Sequence, residues 1–275
     1  MARKKKISKR VKIYNVVLIS VLALLIISLV TVLCVVLFKN KQFYKIESRS
    51  KQIEKNKKAD KKDYKTIGWV RVQGTNIDYP LYGISETSEE YPVQESLLWD
   101  LSYDGTYHNV MQLYGHNVTN LGPKPARHGD DFIRLEEMMS FVYHDFAKEN
   151  KYFQVTIDGK DYLYKIFGVN FMEIDTLDSY SKEEYSEKEK KQYIDDIKNE
   201  SIYDYDVEVS TKDDIASIVT CTRFFGNKSV DFLITGRLVR EDEKVTNYSV
   251  LRNKNYEKVM DAMEGEEVEY EDEEE

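Results

Sequence analysis

An almost unbroken apolar run from Val16 to Phe38, interrupted only by Ser20, Ser28, Thr31 and Cys34, divides this chain of 275 residues into two unequal parts. A stretch of that length spans the roughly 30 Å hydrocarbon core of a bilayer as one helix, because a helix satisfies its backbone polar groups internally. Ahead of it stand Arg3, Lys4, Lys5, Lys6, Lys9, Arg10 and Lys12, a denser cluster than Lys39, Lys41 and Lys45 behind it. The denser cationic side stays in the cytoplasm, so the rest of the chain is expected on the outer face of the cell membrane. The run is longer than the core of a signal peptide, and no small-x-small site follows it before Lys39. We therefore read it as an uncleaved single-pass anchor.

The chain carries a net charge of −9, and the exported part is more acidic still once the N-terminal cations are set aside. That charge excludes nucleic acid as a partner. There are two cysteines, Cys34 within the apolar run and Cys221 beyond it, so the two cannot pair. Exported proteins tend to pair their cysteines or to lose them, which marks a single one as a candidate reactive thiol. A buried cysteine acting as a small hydrophobe remains the alternative at this level.

Five segments are expected. Residues 1–14 form a basic cytoplasmic segment and 15–38 the anchor. Residues 39–63, charged and free of Pro and Gly, form a solvated helical stalk. Residues 64–245 form a folded domain, and 246–275, ending in a Glu/Asp-rich run, a disordered tail. Within the domain, Ile67 to Val72, Ile77 to Leu81, Asn109 to Tyr114, Tyr152 to Ile157 and Tyr162 to Val169 read as strands, the last two joined by the hairpin signal Asp158-Gly159. Phe132, Leu135 and Met138 or Met139 suggest a short helix. Ser181 and Glu184 suggest a capping box for a helix running through Lys198 with Tyr193, Ile194 and Ile197 on its apolar stripe. About seven or eight short strands with few helices point to one β-barrel or sandwich.

The most informative stretch runs from Ile215 to Val239: two β-branched strands, Ile215 to Cys221 and Asp231 to Val239, around a turn containing Gly226-Asn227. A thiol of pKa about 8.5 is only about 3% thiolate at pH 7, so a nucleophilic Cys221 needs a cation or base beside it. His116, at a strand end in Gly115-His116-Asn117, is the best candidate. Its imidazole can stabilise the thiolate and later protonate a leaving amine. The four histidines, at 108, 116, 128 and 144, lack metal-ligand spacing, and there is neither a phosphate-cradling glycine loop nor a Gly-x-Ser-x-Gly elbow. No metal or cofactor is expected.

Gly115-His116-Asn117, the later Ser217-Ile218-Val219-Thr220-Cys221 and a single N-terminal anchor together resemble the sortases, membrane-anchored cysteine transpeptidases of Gram-positive bacteria. Ile67-Gly68-Trp69-Val70, Gly74-Thr75-x-Ile77-Asp78-Tyr79-Pro80 and Ser201-Ile202-Tyr203-Asp204 are similar to class B. The resemblance implies a mainly β fold, a closed barrel with a few peripheral helices. It also implies a two-step acyl transfer: Cys221 attacks a C-terminal sorting signal of a secreted protein after its threonine, and an amine of a cell-wall precursor or of a pilin resolves the thioester. Specificity is expected from the loops around 83–108 and 171–200.

One position departs from the family pattern. Sortases carry an arginine at the start of the strand after the cysteine, and here that position holds Asp231. A carboxylate repels the oxyanion that an arginine would hold, and loss of such a donor costs on the order of 10²–10³ in rate. Arg223, two residues after Cys221, is the candidate surrogate, with a solvated loop arginine as the plainer reading. Arg237 shares the Asp231 face but lies further along the strand. Asp231 also motivates an alternative to a transpeptidase, a catalytically silent sortase-fold protein that binds a sorting signal or a wall component as a scaffold; a second alternative is an unrelated membrane-tethered cysteine hydrolase.

Overall fold

Alternating and β-branched residues from Tyr64 to Leu238 build a barrel. The computed structural model describes residues 9–43, 46–84, 97–99, 102, 104–115, 117, 135–222 and 230–272. They fall into two compact units, Met1–Lys45 and Ile46–Glu275. In the first, helix α1 (Lys9–Phe43) contains the segment Tyr14–Cys34, which is long and apolar enough to cross a membrane, with its side chains exposed.

The second unit begins with the short helix α2 (Ser50–Asn56) and continues through β1 (Tyr64–Val72), β2 (Asp78–Ile84), β3 (Leu97–Trp99) and β4 (Val110–Gly115). A 3-10 segment (Leu135–Val142) and α3 (His144–Glu149) lead to the hairpin β5 (Tyr152–Ile157) and β6 (Lys160–Glu173). Then come α4 (Ile174–Asp178), α5 (Glu187–Glu200), β7 (Tyr203–Tyr205), β8 (Ile215–Cys221), β9 (Val230–Leu238), β10 (Val250–Arg252) and α6 (Lys254–Asp272). The closed barrel runs β1-β2-β3-β4-β8-β9-β6-β5, with β5 returning to β1, while β7 and β10 form a separate pair. Most ladders are antiparallel; β2–β3 and β4–β8 are parallel. The mainly β, closed-barrel architecture expected from the sequence is present, with helices on its periphery.

Side-chain alternation sorts the strands into two buried faces. On one, Ser217 and Thr235 are directly paired and their hydroxyls lie 2.8 Å apart, and Tyr193 of α5 reaches Ser217 at 2.6 Å. Asn170 of β6 donates to the carbonyl of Ile197 at 2.8 Å, fastening the same helix to the same face. On the other, Ile218 and Ile234 pair with both side chains fully buried. The hairpin between β5 and β6 turns at Asp158 and Gly159, both at positive φ (50° and 67°), as a tight two-residue turn requires.

Three local expectations are revised. The capping box of α5 is Ser186–Glu189, not Ser181–Glu184: the Ser186 hydroxyl accepts from the Glu189 amide and the Glu189 carboxylate from the Ser186 amide. Both pairs have the Ser-x-x-Glu spacing. Tyr180 bonds to Asp196, and the Tyr185 hydroxyl to the Tyr180 carbonyl, which folds residues 180–185 back against the helix instead of into it. Next, residues from Ile46 onward pack on the barrel, where a free stalk was expected to reach residue 63. Ile53 is 7% exposed, Asn56 donates to Thr66 and Tyr82 at 3.0 and 2.7 Å, and Arg49 grips Asp78 at 3.0 and 2.9 Å. Lastly, the acidic C-terminal region contains a strand and a helix where disorder was expected from residue 246. Tyr256, Val259 and Met263, at i, i+3 and i+7, bury one side of α6. Phe132, expected on a short helix with Leu135, lies outside the described residues; Leu135, Met138 and Met139 are buried in the 3-10 segment.

Candidate active site

Strand β8 is buried along its length until its last residue, Cys221, whose side chain reaches solvent. Its neighbours fix what the thiol faces. On one side the parallel ladder with β4 runs from Val110–Ile215 to Gly115–Thr220. The Thr220 hydroxyl donates to the Gly115 carbonyl at 2.8 Å, tying the two strand ends together beside the thiol. Gly115 is required there by close approach: a Cβ would stand 2.5 Å from Cδ1 of buried Leu135. His116 follows Gly115 in the chain, and Arg223 lies two residues past Cys221. Both fall outside the described residues, as do Gly226 and Asn227 and much of the expected specificity loop at 83–108.

On the other side the antiparallel ladder with β9 pairs Cys221 directly with Asp231. Directly opposed residues project from the same face with Cβ atoms about 4.5–5.5 Å apart, so the Asp231 carboxyl is the thiol's cross-strand neighbour. Asp231 is 8% exposed, and no hydrogen bond or ion pair from the described residues reaches it. Burial, and then the charge of Asp178 at the end of α4, push its pKa up to about 6. The Cys221 thiol is raised above its ordinary value as well, first by desolvation at the strand end and second by Asp231. Among the described residues no cation opposes either effect. The pair as described therefore favours a protonated sulfur beside a carboxylate that titrates near neutrality.

Arg237, on the same face as Asp231, is committed elsewhere. It is 2% exposed, donates to the Glu208 carbonyl at 3.0 Å and makes a two-pronged pair with Glu243, at 2.9 Å for the Nη2–Oε1 contact. That pair, with Lys165 also bonded to Glu243, holds the Glu243 carboxyl down at about 2. The contributions of Thr220, Leu135 and Asp178 to the site are not legible in the sequence. Thr220 and Leu135 carry no chemical signature, and Asp178 is far from Asp231 along the chain. Tyr114, paired with Val219 on the Cys221 face, is legible only as a strand residue.

No family model matches the chain. It is 23% identical over 185 residues to sortase B of Staphylococcus aureus, the match covering 63% of this chain and 70% of that protein. It is 25% identical over 185 residues to sortase B of Listeria monocytogenes, covering 63% and 69%. The X-ray structure of Clostridium perfringens sortase B superposes with a TM-score of 0.54 at 22% identity, covering 68% of this chain and all of that one. Its fold is the class B sortase fold. The resemblance drawn from the residues thus holds in sequence and in architecture. Other solved class B sortases include an S. aureus sortase B–substrate complex, at a TM-score of 0.53, 20% identity and 70% and 86% coverage. A sortase B complexed with triglycine superposes at 0.54, with 20% identity and 70% and 88% coverage. In this class B sortase fold the carboxyl end of β8 presents an exposed thiol at the rim of the barrel, the one described nucleophile there.

Proposed function

We propose that this chain is a cell-surface transpeptidase that cleaves a C-terminal sorting signal through a Cys221 thioester and transfers the protein to an amine of the cell wall or of a pilin. The observation that carries this reading is the solvent-reaching thiol at the end of β8 in a class B sortase fold, with β4 tied alongside at Gly115. Chain continuity gives His116 the position after Gly115, from which it would act as the thiolate's partner and as acid toward the leaving amine. Arg223 is the cation proposed to offset the developing oxyanion, since Asp231 occupies the cross-strand position and Arg237 is held by Glu243. The relatives solved with a substrate and with triglycine support a sorting-signal donor and an amine acceptor. The apolar helix α1 and the basic residues before it support a single-pass anchor with its N-terminus in the cytoplasm.

Asp231 favours one second reading, a silent sortase-fold protein that binds sorting signals without cleaving them, because it raises the thiol's pKa where the family has a cation. Thioester capture separates the two. The full-length chain in detergent is incubated with peptides carrying Leu-Pro- or Asn-Pro-type sorting signals and analysed by intact mass. An adduct that Cys221→Ala abolishes and an added amine resolves is expected. No adduct from the unsubstituted chain, together with one from Asp231→Arg, would establish the binding protein instead. An adduct that goes to water even with amines present would indicate a hydrolase.

A further inference from the structure

The carboxylate opposite Cys221 is ill suited to the first half of an acyl transfer and well suited to the second. Forming the thioester requires a thiolate and an oxyanion, both of which a neighbouring negative charge opposes. Resolving it requires an amine, which near neutral pH arrives as an ammonium ion and cannot attack until it loses a proton. A cation site and a proton acceptor beside the thioester are what that step lacks.

Asp231 has the features such a site needs. It is directly paired with Cys221 across the β8–β9 ladder, so its carboxyl projects beside the sulfur. It is 92% buried, given its 8% exposure, and no hydrogen bond or ion pair from the described residues reaches its carboxylate. Partial desolvation of that carboxyl disfavours its charge, and a cation arriving beside it would offset the cost. The charged group among the described residues that acts on it from a neighbouring element is Asp178, another carboxylate, so the local field favours a cation.

We propose that Asp231 receives the acceptor amine: its carboxylate holds the incoming ammonium group and takes the proton that must leave the nitrogen before it attacks the Cys221 thioester. This rests on the transpeptidase reading above. The ammonium gives one proton to Asp231 and frees its lone pair. The N–C bond forms as the C–S bond breaks, a second proton passes from the nitrogen to the departing sulfur, and Asp231 later returns its proton to water. The products are an amide and the thiol. The raised pKa of Cys221 suits this ending, because the departing sulfur readily keeps its proton.

The test compares nucleophiles within one protein, so that any effect on acylation cancels. The full-length chain in detergent and a sorting-signal peptide are given triglycine or Nα-acetyl-lysine amide in competition with hydroxylamine, which is uncharged near neutral pH, and the products are counted by mass spectrometry. In Asp231→Asn the ratio of alkylamine product to hydroxamate should fall by about 10²-fold, the scale of a lost general base, and Asp231→Glu should recover part of it. A fall with triglycine alone assigns an α-amine acceptor, and a fall with the lysine derivative alone an ε-amine; either supports the proposal. A ratio that is unchanged or higher in Asp231→Asn overturns it. Absence of both products from the unsubstituted chain overturns the transpeptidase reading, and this proposal with it.

Discussion

The hydroxyl of Thr220 donates to the carbonyl of Gly115 across 2.8 Å, joining the ends of two parallel strands one residue before the thiol. Thr220 is 1% exposed, whereas Gly115 is half-buried, so the donor is enclosed and the acceptor is only partly so. Thr220→Val keeps the shape and removes the donor. It should cost about 0.5–1.5 kcal/mol, the net worth of one part-buried hydrogen bond, and lower the Tm by a few degrees. Thermal unfolding measures the cost. Thioester formation should slow as well, since the strand end that carries Cys221 loses its tether.

Gly115 and Leu135 should be energetically coupled. Gly115→Ala drives a methyl to within 2.5 Å of Leu135 Cδ1 and should destabilise by about 1–3 kcal/mol through overpacking. Leu135→Ala alone should cost about 2–5 kcal/mol through the cavity it opens. The double variant should be more stable than the sum of the two losses predicts, because the added methyl enters the space that leucine vacates. Additive losses in denaturant unfolding would show that the contact is relieved by backbone movement instead.

Asp231 should make the fold less stable as pH rises from about 4 to 6. Its folded-state pKa of about 6 lies above that of an unfolded aspartate, so the native state binds the extra proton in that window and loses it as pH rises. At about 1.4 kcal/mol per pKa unit, the penalty above pH 6 is at most about 3 kcal/mol. Asp231→Asn should therefore be more stable than the unsubstituted chain at pH 7, and its advantage should shrink toward zero near pH 4. Guanidinium midpoints across that range test it. An advantage independent of pH would assign the gain to packing.

The thiol should become more reactive when Asp231 is neutralised, but only in part. Desolvation is the larger cause of the raised Cys221 pKa and the Asp231 charge the second, so Asp231→Asn removes the lesser one. The pH profile of iodoacetamide alkylation should move to lower pH in that variant and stop short of an ordinary exposed cysteine. A profile that does not move would mean that the Asp231 charge does not act on the sulfur.

Local patterns in the chain carry much of this architecture. Strands announce themselves through alternation, so Tyr152 to Ile157, the Asp158-Gly159 turn and both strands around Cys221 stand where their residues place them. The apolar run of α1 needs no tertiary partner to be recognised. Spacing was less reliable where two registers competed. Ser181–Glu184 and Ser186–Glu189 present the same capping pattern, and only the folding back of Tyr180 and Tyr185 on α5 selects the second. Charge likewise misled at both ends of the domain, because a few apolar residues, Ile53 in one segment and Tyr256, Val259 and Met263 in the other, suffice to dock a charged helix.

Sequence alone determined the thiol, its strand, the aspartate ten positions on and the apolar helix, since each depends on residue identity and near neighbours. Whether that aspartate matters was decided by tertiary structure. A strand's register is set by the packing of both its faces against distant elements, and a slip of one residue would have turned Asp231 away from the sulfur. The ladder that pairs Ser217 with Thr235 under α5 also pairs Cys221 with Asp231, and burial at that strand end gives the carboxyl its perturbed pKa.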